Sequence, residues 1–560
     1  MRGAFRNTGF LHSSSSKTLP LVAGAGHGRS RAGRDAHSRA ERRETIVTTA
    51  QPQSLSVMLR RSAARHGTKP ALVFREQRWS YAEFDVIVDE LAAGLDDLGV
   101  VKGDRIAILA RNSHYFLAIR FAVARIGAVL VPINVMLGAA DIAYILEHSG
   151  ARFMFVDAGL VELARTASSA VSTTIEATFL VESDDGDSPS GLRRWTDLCI
   201  VGATIDDRAE ADDLLQIIYT SGTESRPKGA MLSHAAVLWQ YQSCLFDCGW
   251  TADTVILHAL PLFHCAALDA MAGPALQAGA TSIISASAAP DQVIPLIERH
   301  RVTAFFAPPT VWISFLRSPL FEAHDISSLA KGYYGASIMP VAVIEELSER
   351  IPGLRLWNLY GQTEIAPVAT VLQPEDHATR RGSAGRPALH VQTRVVDEEM
   401  RDVAPGEIGE IVHRSPQLLS GYWRQPELSE TVFAGGWFHS GDLATIDADG
   451  FITVVDRKKD MIKTGGENVS SREVEEAIYA HPHVSEVAVI GLPDPHWIEA
   501  VTAFVVKRAG TDPNAEDLEA HCATHLSGFK RPKRFVFVDD LPRNASGKIL
   551  KRDLRRMVPG

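Results

Sequence analysis

The first residues of this chain that could do chemistry lie in a hydroxyl- and glycine-rich segment, Tyr219-Thr220-Ser221-Gly222-Thr223-Glu224-Ser225-Arg226-Pro227-Lys228-Gly229. The apolar run before it, residues 214–218, is typical of a buried strand, and residues 233–246 favour a helix. Small residues let backbone N–H groups approach phosphate oxygens, hydroxyls add donors, and a lysine supplies a compact cation. The lysine precedes the last glycine, which differs from the P-loop pattern. The segment therefore predicts a phosphate-binding loop between a strand and a helix.

Further motifs with chemically useful side chains follow in the order Tyr333–Ser337, Tyr360–Glu364, Ser440–Asp442 and Pro542–Lys548. Glu364 offers the carboxylate oxygen that hard cations prefer. Asp442 could accept hydrogen bonds from ribose hydroxyls, as acidic residues do in dinucleotide-binding folds. Taken singly, each has a plain alternative: an acid at a strand end, a turn-forming aspartate and a surface lysine at Lys548.

Composition narrows the class of protein. The chain has 560 residues, 46% of them apolar, and a net charge of −10, which argues against a general nucleic-acid binder. Its five cysteines are sparse and odd in number, which indicates a reducing compartment, and we expect a cytoplasmic protein. No run of eighteen apolar residues occurs, so stable membrane insertion is not expected.

The elements that must position these motifs alternate between strands and helices, which predicts parallel α/β layers. From residue 391 short strands with tight turns suggest a small antiparallel barrel or sheet. We therefore predict an α/β protein: a large N-terminal domain (53–455) of two α/β layered subdomains plus a small β-barrel, a polar linker (456–460), and a small α+β C-terminal domain (461–556). Residues 1–52, rich in Arg and Ser, are expected to be a disordered extension; a targeting segment or a mis-assigned start are the alternatives.

The five motifs together, in this order and spacing, resemble the adenylate-forming enzymes: acyl- and aryl-CoA synthetases, adenylation domains and beetle luciferases. The resemblance covers residues 53–556. It implies an ATP-dependent carboxylic acid–CoA ligase that uses ATP, Mg²⁺ and coenzyme A. The first step would give an acyl adenylate and pyrophosphate, and the second acyl-CoA and AMP. Transfer to a carrier protein, and a nucleotide-binding protein without catalysis, are the alternatives.

The resemblance also implies residue roles. Catalysis would fall to Lys548, Glu364 and Lys228, with Glu364 holding the metal and Lys548 reaching the bond that forms between the carboxylate and the α-phosphate. The residues implied in ATP and AMP binding are Thr220, Ser221, Gly222, Thr223, Lys228, Gly335, Ala336, Ser337, Tyr360, Gly361, Thr363, Asp442, Arg457 and Lys548.

For the second step, the family rotates its C-terminal domain about a hinge. The resemblance therefore implies a hinge at residues 456–460, with Lys459 at the hinge position, and a mobile C-terminal lid domain at residues 461–556. Lys463, Gly465, Gly466 and Glu467 would then line the coenzyme A tunnel. Three positions depart from the family pattern: Glu224-Ser225 replaces Thr-Gly, Asp456 replaces a glycine, and Ser471 replaces a proline. An acid at position 224 is unfavourable beside a triphosphate unless it points to solvent, binds Mg²⁺ or pairs with Arg226.

The acid substrate is the least constrained part of the prediction. The expected pocket residues are His264, Val311, Trp312, Ile338 and Ala366, which are mostly apolar. They favour a medium- or long-chain fatty acid, and an aryl acid is the alternative because Trp312 and His264 would suit a flat ring. The expected partners are the acid and coenzyme A, with a homodimer left open.

Overall fold

The computed structural model describes residues 53–172, 174–181, 191–220, 226–337, 339–543 and 549–558. The helices are α1 (Leu55–His66), α2 (Tyr81–Asp97), α3 (His114–Arg125), α4 (Ala139–Ser149), α5 (Val161–Ser169), α6 (His234–Asp247), α7 (Cys265–Ala267), α8 (Gly273–Ala278), α9 (Pro290–His300), α10 (Pro309–Arg317), α11 (Val341–Arg350), α12 (Pro426–Val432), α13 (Ser471–Tyr479), α14 (Ala515–His525) and α15 (Lys551–Met557). A π-helical turn, Leu268–Ala272, joins α7 to α8. Short 3₁₀ turns cover Ala158–Leu160, Trp195–Leu198, Pro319–Phe321, Thr363–Ile365, Pro374–Asp376, Ala434–Gly436 and Gly528–Lys530.

The strands form four sheets. In chain order they are β1 (Pro70–Phe74), β2 (Gln77–Ser80), β3 (Arg105–Leu109), β4 (Val129–Pro132), β5 (Phe153–Val156), β6 (Ala177–Leu180), β7 (Leu214–Thr220), β8 (Lys228–Ser233), β9 (Val255–His258), β10 (Thr281–Ile284), β11 (Ala304–Phe306), β12 (Lys331–Gly335), β13 (Arg355–Gly361), β14 (Val368–Leu372), β15 (Arg386–Pro387), β16 (Gln392–Val396), β17 (Gly409–Arg414), β18 (Gly421–Tyr422), β19 (Phe438–Ile446), β20 (Ile452–Arg457), β21 (Ile462–Thr464), β22 (Glu467–Val469), β23 (Val484–Asp494), β24 (Ile498–Lys507) and β25 (Arg534–Phe537).

The first sheet has seven strands in the order β18-β8-β7-β4-β3-β5-β6. Its β7, β4, β3, β5 and β6 run parallel, as the alternation of strands and helices predicts. Successive residues of β5 alternate between two hydrophobic clusters, with Phe153 and Phe155 in one and Met154 and Val156 in the other. Both faces of this sheet are therefore buried, which explains its nearly continuous apolar strands.

The second sheet has nine strands in the order β15-β14-β13-β12-β11-β9-β10-β1-β2. Six neighbouring strands in the middle of this sheet, β13-β12-β11-β9-β10-β1, are parallel. The strands β2, β14 and β15 add antiparallel edges. The carboxyl ends of β11, β12 and β13 consequently lie at one edge of the sheet, where open α/β sheets bind their ligands. The prediction of a large, layered α/β N-terminal region is confirmed.

Two smaller sheets complete the chain. One is the antiparallel sheet β16-β17-β19-β20, and the other contains β21 to β25 with α13 and α14 packed on it. The first is an open sheet where the sequence suggested a barrel: the backbone of Ile452 in β20 bonds to Ala384 and Gly385 of the large region, so that edge is covered without closure onto β16. Within the described residues, no helix is both long enough and apolar enough to cross a membrane.

Acid lability is expected from the buried histidine His258 on β9. Its Nε2 lies 3.0 Å from Ser282 Oγ on β10, and burial lowers the pKa of its imidazole from 6.5 to about 3. Below pH 6.5 the unfolded chain therefore binds a proton that the folded chain binds only near pH 3, so stability falls as the pH decreases through this window. Between pH 7 and pH 5, this histidine alone should lower the free energy of unfolding by about 2 kcal/mol.

Urea unfolding of the His258→Gln variant at pH 7 and pH 5 measures that contribution. The variant should lose less stability than the unsubstituted chain over this interval. His496→Gln, at an exposed histidine, is the matched control and should follow the unsubstituted chain. Identical pH dependence in all three proteins would contradict the prediction.

Candidate active site

A cavity of about 1250 Å³ lies where the two large sheets and the small antiparallel sheet meet. It brings together residues that are far apart in the sequence. They were predicted to bind the nucleotide, to contact the acid substrate or, for Lys459, to form the hinge. The predicted residues that line it are Thr220, Lys228, His264, Ala336, Tyr360, Gly361, Thr363, Glu364, Asp442, Arg457 and Lys459. Ser221, Gly222, Thr223, Glu224, Ile338 and Lys548 lie outside the described residues.

The two ends of the hydroxyl-rich segment are held together by a hairpin. Thr220 at the end of β7 pairs with Lys228 at the start of β8, and Thr220 Oγ1 donates to the Lys228 carbonyl at 3.5 Å. The predicted passage from loop directly into helix is wrong, because residues 228–233 first form β8. Gly229, Ala230 and Leu232 are buried in that strand, and the helix begins only at His234.

Tyr422, which belongs to none of the motifs predicted from the sequence, links Glu364 to Lys228. The Tyr422 hydroxyl donates to Glu364 Oε1 at 2.9 Å, and the Lys228 ammonium lies 5.9 Å from the centre of the tyrosine ring. Glu364 is only 9% exposed. Burial, reinforced by the neighbouring carboxylate, raises the pKa of Tyr422, so the hydroxyl keeps its proton and remains a donor.

A second carboxylate, that of Asp442, also lines the cavity. Asp442 on β19 pairs with Arg457 on β20, and its Oδ1 lies 3.5 Å from the Arg457 Nε. Its Oδ2 accepts a hydrogen bond of 2.7 Å from the Tyr360 hydroxyl. Burial and the Asp442 charge raise the pKa of Tyr360. The carboxylate is thus held in one orientation at the cavity wall.

The ends of β12 and β13 leave little room for side chains. A Cβ on Gly335 would lie 2.3 Å from the Leu359 carbonyl, so only glycine fits there. The next residue, Ala336, has φ +63°, a left-handed conformation that non-glycine residues adopt with strain. Ala336 lines the cavity, whereas Gly335 is buried and Ser337 is exposed outside the lining.

His264 and Cys265 also line the cavity, beside its less polar part. His264 is half-buried, and its Nδ1 accepts a hydrogen bond of 3.2 Å from the Ala266 amide. The Cys265 Sγ lies 3.1 Å from Thr363 Oγ1, and burial raises the pKa of this thiol to about 12. A thiol that stays protonated is a poor nucleophile, which disfavours a covalent acyl–cysteine intermediate.

The apolar part of the wall is made by residues that carry no motif: Ala266, Ala270, Phe306, Leu359 and Val368. They belong to, or pack against, one hydrophobic cluster that also contains Trp250, Tyr333 and Trp357. The Trp250 and Tyr333 rings are stacked with centroids 5.4 Å apart, and Tyr333 and Trp357 lie 5.2 Å apart. Three buried aromatic rings therefore fill the space directly behind the wall.

Three residues predicted for the acid pocket are placed elsewhere. Trp312 is fully buried, its indole N–H donates to the Tyr333 carbonyl at 3.1 Å, and its ring packs against Phe305 and Phe315. Trp312, Val311 and Ala366 are not among the described residues that line the cavity. Helix α10 directs Trp312 into the core, and the apolar part of the cavity wall is made by other residues.

A buried ionic network holds the π-helical turn that carries Ala270. Asp269 forms an ion pair with Arg120, both fully buried, and also accepts hydrogen bonds from Gln216 Nε2 at 2.7 Å and from Tyr241 at 3.3 Å. A buried charge is tolerated when it is paired and hydrogen-bonded in this way. The network ties the turn to α3, β7 and α6, so the wall is rigid.

Residues of the C-terminal domain line part of the cavity, but the β21–β22 hairpin of this domain does not. Arg543, Leu550 and Arg552, which flank the undescribed residues 544–548, line the cavity. The residues predicted to bind coenzyme A, namely Lys463, Gly465, Gly466 and Glu467, are exposed in the β21–β22 hairpin and are not in its lining.

Asp456 and Ser471, which both depart from the family pattern, contact each other where β20 meets α13. The Asp456 Oδ2 accepts hydrogen bonds from the Ser471 amide at 2.7 Å and from its hydroxyl at 2.8 Å. A glycine at 456 could not accept these bonds, and a proline at 471 could not donate them. The pair places a carboxylate at the N-terminus of α13, where it is electrostatically favoured.

Comparison with known proteins gives two family matches. Residues 59–423 match the model described as AMP-binding enzyme, and residues 473–548 match the AMP-binding enzyme C-terminal domain. The two matches cover both sides of the region predicted to be the hinge.

Similar curated proteins act on different acids. The chain is 38% identical to a feruloyl-CoA synthase of Amycolatopsis sp., over 85% of this chain and 93% of that protein. It is 34% identical to an indoleacetate–CoA ligase of Aromatoleum aromaticum, over 90% and 98%, and 34% identical to the long-chain-fatty-acid–CoA ligase FadD13 of Mycobacterium tuberculosis, over 85% and 93%. Among solved structures, ATP-bound MatB from Rhodopseudomonas palustris is similar, with a TM-score of 0.82 and 31% identity over 90% of this chain and 99% of that chain.

Proposed function

We propose that the chain, which belongs to the AMP-binding enzyme family and is an AMP-forming acid–CoA ligase, activates an aryl or arylalkyl carboxylic acid. The observation that carries this proposal is the apolar wall backed by Trp250, Tyr333 and Trp357. A flat aromatic ring would pack with its face against the apolar side chains of such a wall. The relatives named for ferulate and indoleacetate support the same substrate class.

In the first step, a carboxylate oxygen of the acid would attack the α-phosphorus of ATP, and the bond to the β-phosphate would break, releasing pyrophosphate. Thr220 and Lys228 would hold the β- and γ-phosphates, together with Ser221, Gly222 and Thr223 from the loop. Lys548 would stabilise the charge on the two reacting oxygens. Preorganised charge of this kind is usually the largest contribution to catalysis.

The nucleoside would occupy the side of the cavity formed by β12, β13, β19 and β20. Tyr360 offers a flat face to adenine, and the close packing at Gly335 lets the base approach the strand ends. Asp442 would accept hydrogen bonds from the ribose hydroxyls, with Arg457 beside it. Gly361 and Thr363, which also line the cavity, would complete this region, and Ser337 would close it at the end of β12.

Mg²⁺ would be held by Glu364 together with phosphate oxygens of ATP. The residues fit this ion, because Glu364 places a hard carboxylate oxygen at the cavity wall beside the phosphate-binding hairpin. No group of three or more His, Cys, Asp and Glu side chains in the described ranges could hold a metal by itself. Mg²⁺ commonly binds one or two carboxylates and shares substrate phosphates, where it neutralises charge on the leaving pyrophosphate.

In the second step, the sulfur of coenzyme A would attack the acyl carbon, and the bond from that carbon to the AMP oxygen would break. Rotation at Lys459 would replace the Arg543–Arg552 surface with the β21–β22 hairpin. Lys463, Gly465, Gly466 and Glu467 would then line the coenzyme A path. Domain closures of this kind often limit turnover.

A medium- or long-chain fatty acid is the second candidate. Its support is the apolar character of the wall and the 34% identity to FadD13. To distinguish the two classes, AMP release with coenzyme A should be measured for ferulate, indoleacetate, cinnamate, octanoate and palmitate. We expect kcat/KM for the best aryl acid to exceed that for either fatty acid by at least about 100-fold; the reverse ranking would refute the proposal.

Ala266→Phe tests the position of the aryl group. Ala266 is half-buried at the cavity wall, so a ring there should occupy the space that the substrate ring needs. Steric exclusion of this size corresponds to about 1–3 kcal/mol, and we expect roughly a 10- to 200-fold lower kcat/KM for aryl acids. Butyrate should be spared, and the affinity for ATP without acid should not change. Equal losses for butyrate and for aryl acids would place the substrate ring elsewhere.

A further inference from the structure

A short segment, residues Leu419–Trp423, which we call the strap, joins the β7–β8 hairpin to the Thr363–Ile365 turn that carries Glu364. At one end, the Leu419 amide donates to the Glu364 carbonyl at 2.8 Å. At the other, the Trp423 amide donates to the Gly229 carbonyl at 2.8 Å. Between them, Gly421 and Tyr422 form β18, which pairs with Met231 and Ala230 of β8. The strap therefore fixes the backbone positions of Glu364 and of the strand that begins at Lys228.

The side chain of Tyr422 makes the same connection between functional groups. Its hydroxyl bonds to Glu364 Oε1 at 2.9 Å, and its ring faces the Lys228 ammonium at 5.9 Å. Its backbone amide donates to Ser429 Oγ at 2.8 Å, and the residue is 7% exposed. The terminal torsion of a glutamate is otherwise broad, so this hydroxyl determines how the carboxylate is rotated.

We propose that Tyr422 is a positioning residue that orients the Glu364 carboxylate for Mg²⁺ and keeps it in register with the Lys228 ammonium. This rests on the proposed roles of Glu364 and Lys228 with the metal–triphosphate. A hydroxyl that donates to one carboxylate oxygen also fixes the direction of the other oxygen. Supporting groups of this kind commonly tune metal affinity by 10- to 100-fold.

Tyr422→Phe removes the hydroxyl and keeps the ring that faces Lys228. We expect the Mg²⁺ concentration for half-maximal acid-dependent ATP–pyrophosphate exchange to rise about 10-fold, with less than about a 3-fold loss at saturating Mg²⁺. Calorimetric titration of ATP without acid gives a readout that needs no turnover. There, the gain in ATP affinity on adding Mg²⁺ should shrink about 10-fold, while the affinity without Mg²⁺ stays the same.

Tyr81→Phe is the matched control. It deletes a buried hydroxyl that donates to the Ala280 carbonyl at 2.6 Å, far from the cavity lining, and should leave the Mg²⁺ dependence unchanged. An unchanged Mg²⁺ dependence in Tyr422→Phe, or an equal loss at every Mg²⁺ concentration, would overturn the proposal and leave Tyr422 a packing residue.

The Glu364→Gln variant distinguishes a failure of the positioning role proposed for Tyr422 from a failure of the metal-binding role proposed for Glu364. If Glu364→Gln weakens the Mg²⁺ effect and Tyr422→Phe does not, the role of Glu364 stands and the positioning role of Tyr422 falls. If Glu364→Gln leaves the Mg²⁺ effect intact, the assignment of Glu364 to the metal fails, and the inference about Tyr422 fails with it.

Discussion

Lys548→Ala is expected to abolish acid-dependent ATP–pyrophosphate exchange while sparing thioester formation from a supplied acyl adenylate. The lysine is proposed to act only while the carboxylate attacks the α-phosphate, when charge develops on both reacting oxygens. Loss of one group that stabilises a transition state typically lowers the rate by 10²–10³-fold, and a full positive charge should lie at or above the upper end. The second step is proposed to use the β21–β22 hairpin of the C-terminal domain, so its rate should change little.

The two half-reactions are measured separately, by exchange of labelled pyrophosphate into ATP and by acyl-CoA formation from synthetic adenylate. Lys507→Ala is the matched control, since it removes a lysine from the same unit that pairs with Asp512 away from the cavity. It should leave both rates unchanged. Equal loss of both half-reactions in Lys548→Ala would contradict a role confined to the first step.

The nucleotide side of the site could be predicted from the sequence because its residues lie at the ends of strands. Thr220 ends β7, Ala336 follows β12, and Gly361 ends β13. The neighbouring parallel strands β12 and β13 bring their ends to a common edge. Thr220 ends a strand of the other large sheet and lines the same cavity.

The acid side could not be predicted in the same way. Ala270, Phe306 and Val368 are ordinary core residues by type, and nothing in their spacing separates a cavity wall from packed interior. Trp312 looked like a pocket residue for the same reason, yet its indole N–H bonds to the Tyr333 carbonyl within the core. Which face of an apolar element meets empty space depends on packing between elements, which a local pattern does not contain.

Asp456 and Ser471 show why some departures from a family pattern can be understood only as a pair. Asp456 and Ser471 each look like a minor departure when considered alone. In the structure they are one feature, because the carboxylate of the first accepts both hydrogen bonds from the second. Two substitutions that depend on each other become intelligible only when the contact between β20 and α13 is known.

Asp442→Ala is expected to raise KM for ATP by about 100-fold or more. The carboxylate is already oriented by Tyr360 and Arg457, so it should bind the two ribose hydroxyls without reorganisation. Hydrogen bonds to a charged group are worth about 1.5–3 kcal/mol each, so losing two corresponds to roughly 10²–10⁴-fold in affinity. Asp442→Asn keeps an acceptor and should show a smaller loss.

Comparison of ATP with 2′-deoxy-ATP turns this prediction into a test of the contact itself. The unsubstituted enzyme should discriminate against the deoxy analogue, and Asp442→Ala should lose that discrimination, because neither hydroxyl then has its acceptor. Asp402→Ala, which removes an exposed carboxylate paired with Arg394 near the same small sheet, should behave like the unsubstituted enzyme. A variant at 442 that still discriminates between the two nucleotides would show that Asp442 serves the Tyr360–Arg457 packing and does not bind ribose.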